Sequence, residues 1–271
     1  MNDLAKFLAP HQQVPVRRWA RDHFIERDER IAEEVPVALV YNGLAHVVMM
    51  ASPCDLEDFA LGFSLTEGVL QAQSEMYGVA ATPVAEGIQI AMDIDLLRYL
   101  PLEDQRRNIA GRTGCGLCGA ETFAQAIRHP KPVEGTFRVT SQAISRAFDA
   151  LASRQTLNTQ TGAVHGAAWV TLDGAIAQVR EDVGRHNALD KAIGATLNAQ
   201  GDLRQGFALI TSRASFEMVQ KAATVGIGLL AAISAPTALA VRLAKETGVT
   251  LIGFSRDGCF NVYAHPHRVV A

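Results

Sequence analysis

The second half of this 271-residue chain alternates short apolar runs with segments of helix length, and this alternation constrains the fold more than any other feature. Apolar runs at 206–211, 229–234 and 249–254 predict strands, and the segments between them, 215–226 and 236–248, predict helices. Strands that alternate with such helices form βαβ units around a mainly parallel sheet. The second half is therefore predicted to be an α/β domain.

The region before these units predicts a hairpin between two helices. Asp173-Gly174 separates two strand-like runs and is a turn signal. A helix is expected over about 141–154, with Ser141 as its N-cap, and another over about 186–199.

One stretch without charge, residues 222–241, has the length of a membrane span. Gly226, Gly228 and Pro236 interrupt it, which favours a helix end, a buried strand and a new helix start. The formal net charge of −3 gives no basic footprint for nucleic acid or for an anionic membrane. We therefore expect neither nucleic acid nor membrane as a partner.

The first half predicts a smaller α+β unit. Asn42-Gly43 between two apolar runs indicates a hairpin with a type I′ turn. A helix should follow, with Ser52 as its cap, Pro53 in its first turn and Gly68 at its end. The expected division is a flexible tail at 1–13, the small α+β domain at 14–105, a mobile loop at 106–120 and the α/β domain at 121–271.

The number and spacing of the cysteines indicate the cellular compartment in which the protein works. The first 13 residues show no apolar leader, and four cysteines in 271 residues do not make a disulfide framework. We expect a cytoplasmic protein, in which a close pair of cysteines is catalytic or metal-binding rather than structural.

Such a pair occurs in GRTGCGLCG, residues 111–119, which places Cys115 and Cys118 among four glycines. Three interpretations compete: half of a zinc site, a thioredoxin-like redox dithiol and a carrier of sulfur. Zinc needs further ligands, and a zinc-dependent deaminase-like hydrolase needs His-x-Glu upstream of its cysteine pair, an order that is reversed here. A thioredoxin-type dithiol follows a strand, and no strand pattern precedes Gly111. An accessible thiolate, favoured by nearby Arg112, suits a carrier.

Small polar turns follow the three predicted parallel strands. Ligands of open α/β sheets bind outside the carboxyl ends of the strands, and helix N-termini there favour phosphate. The serines and threonines of these turns are equally suited to be plain helix caps. The candidate ligand residues in these turns are Arg213, Ser234, Thr237, Ser255, Arg256, Asp257 and Gly258.

Two further features remain open between a structural and a functional interpretation. The charged segment 180–191, REDVGRHNALDK, is either a solvated turn with surface ion pairs or part of a site. His165 lies in an otherwise apolar strand, AVHGAAWV, and is either a satisfied core histidine or a residue that contacts ligand.

Several long motifs together resemble one known family. They are NGLAHVVMMASPCDLEDFALGFSLTEG, GRTGCGLCG, TGAVHGAAW, EDVGRHNALDKAIG, TSRASFEMVQKAATVG and SAPTALAVRLAKETGVTLIGFSRDG. In this order, over residues 33–265, the chain resembles the formate dehydrogenase accessory protein family, FdhD. The family resemblance implies a sulfurtransferase that takes sulfur from a cysteine desulfurase and passes it to the molybdenum cofactor, bis-molybdopterin guanine dinucleotide, for formate dehydrogenase.

The resemblance also implies roles for particular residues. It implies a persulfide on Cys115, with Cys118 either releasing the sulfur or accepting it in turn, and a cofactor contact from Phe254 to Cys259. It further implies a cytidine-deaminase-like three-layer α/β domain, a homodimer, and the molybdenum cofactor as a transient ligand, with no metal or cofactor permanently bound. His165 is assigned to the same cofactor-binding set.

Overall fold

The computed structural model describes residues 9–109, 129–135, 137–256 and 258–271. Its strands are β1 (His11–Ala20), β2 (His23–Ala32), β3 (Val35–Tyr41), β4 (Leu44–Ala51), β5 (Met76–Val84), β6 (Gly87–Ile94), β7 (Val139–Thr140), β8 (His165–Thr171), β9 (Ile176–Asp182), β10 (Gly206–Ile210), β11 (Leu229–Ala232), β12 (Thr250–Arg256), β13 (Cys259–Ala264) and β14 (Val269–Val270). Its α-helices are α1 (Leu56–Thr66), α2 (Leu96–Ile109), α3 (Ser141–Arg154), α4 (Thr156–Thr161), α5 (Arg185–Asn198), α6 (Phe216–Thr224) and α7 (Ala238–Thr247).

The N-terminal hairpin of β1 and β2 was not predicted, and it replaces the end of the expected tail. His11 to Gln13 lie in β1, which pairs antiparallel with β2 along its whole length. Trp19 packs edge-to-face on Phe24 near the hairpin end, although both rings are more than half exposed. Because the hairpin buries little apolar surface, its sequence lacks the alternation by which half-buried strands are recognised.

A four-stranded sheet in the order β4-β3-β6-β5 forms the first core with α1. The β3–β4 turn is the predicted one, because Asn42 and Gly43 both have positive φ, as a type I′ turn requires. The helix starts later than predicted. Asp55, in a left-handed conformation, precedes α1, so Cys54 lies before the helix and Ser52 does not cap it. Gly68 follows the helix end with φ of 73°.

The loop expected at 106–120 is helical at its start. Helix α2 continues to Ile109, although Pro101 lies inside it, and Leu102 is buried against the first core. The charged composition of 103–109 conceals this helix, because it carries no apolar periodicity. The remainder of the predicted loop, with Cys115 and Cys118, lies outside the described residues.

The second core is built on a six-stranded mixed sheet in the order β13-β12-β11-β10-β8-β9. Strands β10, β11 and β12 are parallel, as the alternating pattern predicts, and the outer strands are antiparallel to their neighbours. Helices α5, α6 and α7 cover one face, and α3 covers the other. The chain therefore has the predicted α/β fold, with three layers in its second half. Thr140, not Ser141, caps α3, since its side chain accepts the Ala143 N–H.

The uncharged stretch contributes to this second core. It supplies the end of α6, all of β11 and the start of α7, and the β11 residues are fully buried. Within the described ranges no helix is both long and apolar enough to cross a membrane.

The two cores meet where α1 crosses α5 at very short distance. A Cβ atom at Gly62 would lie 1.8 Å from the carbonyl oxygen of Asp190, and one at Gly194 would lie 1.9 Å from the carbonyl oxygen of Asp58. The two glycines therefore allow each helix backbone to touch the other, a contact that any side chain would prevent.

Buried charges join the same two cores. Lys191 Nζ lies 2.7 Å from Asp182 Oδ2, with both side chains fully buried, and it donates to the Ser52 carbonyl at 3.0 Å. A second set is centred on the adjacent residue, Asp190. Lys221 Nζ contacts Asp190 Oδ2 at 2.9 Å, Glu67 Oε1 at 2.8 Å and Thr66 Oγ1 at 3.0 Å. Buried charges of opposite sign that bridge two cores fix their relative position, because neither partner can leave without exposing the other unpaired.

Candidate functional site

The turns after β10 and β11 meet the last part of β12 at one edge of the six-stranded sheet, the edge at which the sequence predicts the parallel strands to end. Ala214 and Pro236 form a parallel bridge, and the Thr237 N–H donates to the Ala214 carbonyl at 3.1 Å. The Phe254 N–H donates to the Ser234 carbonyl at 3.2 Å, which ties the last part of β12 to the second turn. Strand β12 runs to Arg256 and is therefore longer than the sequence predicts, since Ser255 and Arg256 were expected in a turn. We call this edge, formed by the residues after β10 and β11 and by the last residues of β12, the strand-end site.

His165 lies at the same edge, because β8 runs antiparallel to β10 and its first residue meets the end of β10. The adjoining Gly166 exchanges two hydrogen bonds with Thr211, at 2.9 and 3.0 Å. The imidazole is half-buried. Burial, followed by the nearby positive charge of Arg185, lowers the pKa of His165, although Asp182 opposes this shift.

Phe254 has an unusual conformation for a strand residue. Its φ is 54°, in the left-handed region that residues with a side chain rarely adopt, and its ring is 49% exposed. The pairing of β12 with β13 also shifts register between Gly253 and Arg256. Strained backbone with an exposed aromatic ring is common where a ligand is held, so the geometry is consistent with a stacking role for Phe254.

The other predicted ligand residues are distributed along this edge. Arg213 is exposed in the first turn, and Cys259 is exposed at the start of β13, paired in register with Arg256. Gly258 has φ of 74°. Ser255 and Arg256 end β12, whereas Asp257, Cys115 and Cys118 are outside the described part of the chain.

Thr237 lies at the strand-end site and is also the N-cap of α7. Its hydroxyl oxygen accepts the Ala240 N–H at 3.2 Å and so caps α7. Ser215 precedes α6 without a side-chain cap, and its hydroxyl lies 3.5 Å from Glu217. The sequence interpretation of these residues as caps is therefore correct for Thr237 and wrong for the Ser215 hydroxyl.

The charged segment 180–191 is not the solvated turn that one interpretation of the sequence expects. Asp182, Asn187, Asp190 and Lys191 are buried. Asp182 accepts hydrogen bonds from the N–H groups of Ser52 and Gly184, at 2.9 and 2.7 Å, and from the Asn187 amide at 2.9 Å. These bonds fix the turn that leads into α5 and thereby place Arg185 and His186 next to the strand-end site.

Arg185, His186 and Glu217 form a group that the sequence did not identify as a site. His186 Nε2 lies 2.9 Å from Glu217 Oε2, and an Arg185 terminal nitrogen lies 3.8 Å from the same oxygen. The hydrogen bond with His186 is the largest of the effects that lower the pKa of Glu217. The only sequence signal was the charge density at a helix start, which surface turns share.

Another cleft, of about 340 Å³, lies beside β9, an edge strand of the six-stranded sheet. Its lining includes Cys54, Asp55, Arg154, Leu157, Arg180 and Glu181. Burial is the main cause that raises the pKa of the Cys54 thiol to about 11, so this thiol is protonated near neutral pH and is a poor nucleophile. Among the described residues, no group of three or more His, Cys, Asp or Glu side chains is arranged to hold a metal ion.

The fold and the site define a class of protein: a three-layer α/β protein with polar turns, an exposed strained aromatic residue and cationic groups at the carboxyl ends of its parallel strands. Such an edge suits an anionic ligand. The chain belongs to the FdhD/NarQ family, whose model matches residues 32–270.

Curated relatives are similar over nearly the whole chain. The chain is 51% identical over 259 residues to the sulfur carrier protein FdhD of Cupriavidus necator, a match that covers 96% of this chain and 90% of that protein. It is 50% identical over 254 residues to the sulfur carrier protein FdhD of Xanthomonas campestris pv. campestris, covering 94% and 90%.

A solved structure supports the fold. The crystal structure of a protein from Desulfotalea psychrophila, thought to be a formate dehydrogenase accessory protein, superposes with a TM-score of 0.79. It covers 97% of this chain and all of that chain at 24% sequence identity, so the likeness concerns the fold alone.

Proposed function

We propose that this protein is a sulfur carrier that serves formate dehydrogenase maturation, with Cys115 as the residue that holds sulfur. Relatives at about half identity over nine-tenths of their length carry the sulfur-carrier name, and this chain has a cysteine pair in a glycine-rich segment. The observation that carries the proposal is membership of this family, and the cysteine pair, Cys115 and Cys118, supplies the thiols that a sulfur carrier needs.

The proposed loading step is a redox-neutral transfer of sulfur. The Cys115 thiolate attacks the terminal sulfur of a persulfide on a cysteine desulfurase, a new S–S bond forms on Cys115, and the desulfurase thiolate leaves. For delivery to the molybdenum cofactor, the Cys118 thiolate would either attack the inner sulfur of Cys115, which forms a Cys115–Cys118 disulfide and releases hydrosulfide, or accept the sulfane sulfur in turn while the Cys115 thiolate leaves. No oxidant or reductant is needed for loading, because the sulfane sulfur moves between two thiolates.

The strand-end site is proposed to hold the guanine nucleotide end of bis-molybdopterin guanine dinucleotide as a transient substrate. The turns after β10 and β11 contact each other and the last part of β12, where the half-exposed Phe254 ring lies. Arg213 and Arg256 would neutralise phosphate there, and Phe254 would stack on a ring. We also expect a homodimer in the cytoplasm, which light scattering of the purified protein and cell fractionation would test.

Persulfide loading is tested by intact-mass measurement after incubation with a cysteine desulfurase and cysteine. The wild-type protein should gain the mass of sulfur, Cys115→Ala should not, and Cys54→Ala should behave as wild type. Sulfur on Cys115→Ala would transfer the role to Cys118. Stoichiometric zinc in the purified protein would favour a hydrolase, and reduction of insulin disulfides would favour a dithiol oxidoreductase.

Nucleotide binding is tested separately by calorimetry with guanosine diphosphate. Arg256→Ala should weaken binding by about 1.5–3 kcal/mol, the size of a charge-assisted hydrogen bond, while leaving persulfide loading unchanged. Arg204→Ala is the matched control, because Arg204 is exposed and precedes β10, at the opposite edge of the sheet. Equal affinity in the wild type and the Arg256→Ala variant would remove Arg256 from the site.

A further inference from the structure

We infer that His165, Arg185 and His186 form a second anion subsite, which takes a phosphoryl or other doubly charged oxyanion group of the ligand. Arg185 and His186, in the first turn of α5, both contact Glu217 of α6, and His165 at the start of β8 pairs in register with Asp182, three residues before Arg185. We call these four residues the basic cluster. The sequence analysis assigns His165 alone among them to ligand binding.

The cluster has more hydrogen-bond donors and cationic groups than it has acceptors. Glu217 supplies the carboxylate, and its Oε2 atom faces both His186 and Arg185. Arg185 Nε is buried and has no hydrogen-bond acceptor within reach among the residues that the structure describes. A buried guanidinium N–H without an acceptor is costly, and an oxyanion ligand would supply the missing acceptor.

Charges on the neighbouring elements do not cancel this excess. From β9, Asp182 faces His165, but its oxygen atoms are engaged by Lys191, Ser52, Gly184 and Asn187. The Asp182 carboxylate is therefore balanced by Lys191. The Glu217 carboxylate balances the charge of Arg185, so protonation of the His165 imidazole leaves the cluster positive.

Proton uptake should accompany anion binding. Burial and Arg185 hold the pKa of His165 below its usual value, which disfavours its protonated form at neutral pH. A bound dianion would stabilise the protonated imidazole and raise that pKa. The affinity for a dianion should consequently increase as the pH falls from 8 to 6.

The position of the cluster specifies the ligand more closely, on the condition that the proposed function is correct. From β12, where Phe254 lies, the sheet order runs through β11 and β10 to β8, where His165 lies. Three strand spacings of about 4.8 Å separate these positions by roughly 14 Å. A ligand that stacks on Phe254 and also reaches the basic cluster is therefore elongated and has two anionic parts.

The probe for the test is sulfate, because its charge stays at −2 between pH 6 and pH 8. Sulfate is titrated into the full-length protein while the histidine ring resonances are followed by NMR. The His165 and His186 signals should shift together, and sulfate should raise the pKa of His165. Histidines outside the cluster, such as His23 on the N-terminal hairpin, serve as internal controls.

Two variants give effects of opposite sign. Arg185→Gln should weaken sulfate binding about tenfold or more, as expected for loss of a charge-assisted hydrogen bond. Without sulfate it should also raise the pKa of His165, because a neighbouring positive charge is removed. Glu217→Gln should strengthen sulfate binding, since it removes the competing carboxylate. Arg204→Gln should leave sulfate binding unchanged.

Two results would overturn the inference: no shift of the cluster histidines at tens of millimolar sulfate, or binding that is equal in wild type and Arg185→Gln. Weaker binding in Glu217→Gln would also contradict it, because that is the result expected if the carboxylate only maintains the structure. Guanosine diphosphate titration separates this outcome from the proposed function. Nucleotide binding without sulfate binding removes the basic cluster alone, and the reverse removes the nucleotide proposal alone.

Discussion

Replacement of Lys191 by methionine tests how strongly the two cores depend on their buried charges. Lys191 and Asp182 are fully buried and 2.7 Å apart, and Lys191 also donates to the Ser52 carbonyl. Methionine has a similar length and is accommodated in cores, so the Lys191→Met variant removes the charge with little change in volume. The Asp182 carboxylate keeps its hydrogen bonds from Ser52, Gly184 and Asn187 but loses its counter-charge.

The expected loss is about 3–5 kcal/mol in the free energy of unfolding, because one partner of a buried pair is left uncompensated. This is a large share of the roughly 5–15 kcal/mol by which folded proteins are stable. The double variant Asp182→Asn/Lys191→Met has neither charge. It should therefore be more stable than the sum of the two single losses predicts.

Urea unfolding with linear extrapolation measures these differences. Lys245→Met is the control, because Lys245 is exposed on α7, and it should change stability by less than about 0.5 kcal/mol. A loss below about 1 kcal/mol for Lys191→Met would refute the reasoning. So would strict additivity in the double variant, since it would show that the two side chains do not depend on each other.

Three further predictions concern other contacts. Gly62→Ala should destabilise the protein by about 3 kcal/mol, because the new Cβ atom would clash with the Asp190 backbone. Thermal unfolding measures this loss, and a melting temperature equal to that of the wild type would contradict the close crossing of α1 and α5. Thr237→Ala should cost about 1 kcal/mol through loss of the α7 cap, as measured by urea unfolding, and a neutral result would exclude the capping bond. At pH 8 iodoacetamide should modify the exposed Cys259 well before Cys54, and the rate at Cys54 should keep rising towards pH 11, where its thiolate forms. Peptide mass spectrometry would measure both rates, and faster modification of Cys54 than of Cys259 at pH 8 would contradict the prediction.

The α/β framework could be predicted because its signals are local. Asn42-Gly43 and Asp173-Gly174 specify their turns, and the alternation of strand and helix after residue 206 is regular. The meeting of three strand ends at one edge also follows from that alternation, since parallel strands end on the same side. Phe254 was expected near this edge from the family resemblance, and the alternation gave no sign of its left-handed conformation.

What the sequence concealed depends on contacts between distant segments. Asp182 and Lys191 resemble any surface ion pair in the sequence, and only their contact with Ser52, more than a hundred residues earlier, makes them buried. Arg185 was likewise assigned no site, because its neighbours His165 and Glu217 come from other elements. Ion pairs and helix starts carry no periodicity that would distinguish a buried group from a solvated one.

The crossing of α1 and α5 has a consequence for protein engineering. A chimera that takes residues 32–95 from one relative and the remainder from another must match residues on both sides of the junction. The α5 backbone must pass close to Gly62, and the Thr66 hydroxyl must still form its hydrogen bonds with Asp190 and Lys221. We therefore expect well-folded recombinants only where α1, α5 and the Asp182 turn that precedes α5 come from the same parent, because Asp182 contacts both Ser52 and Lys191.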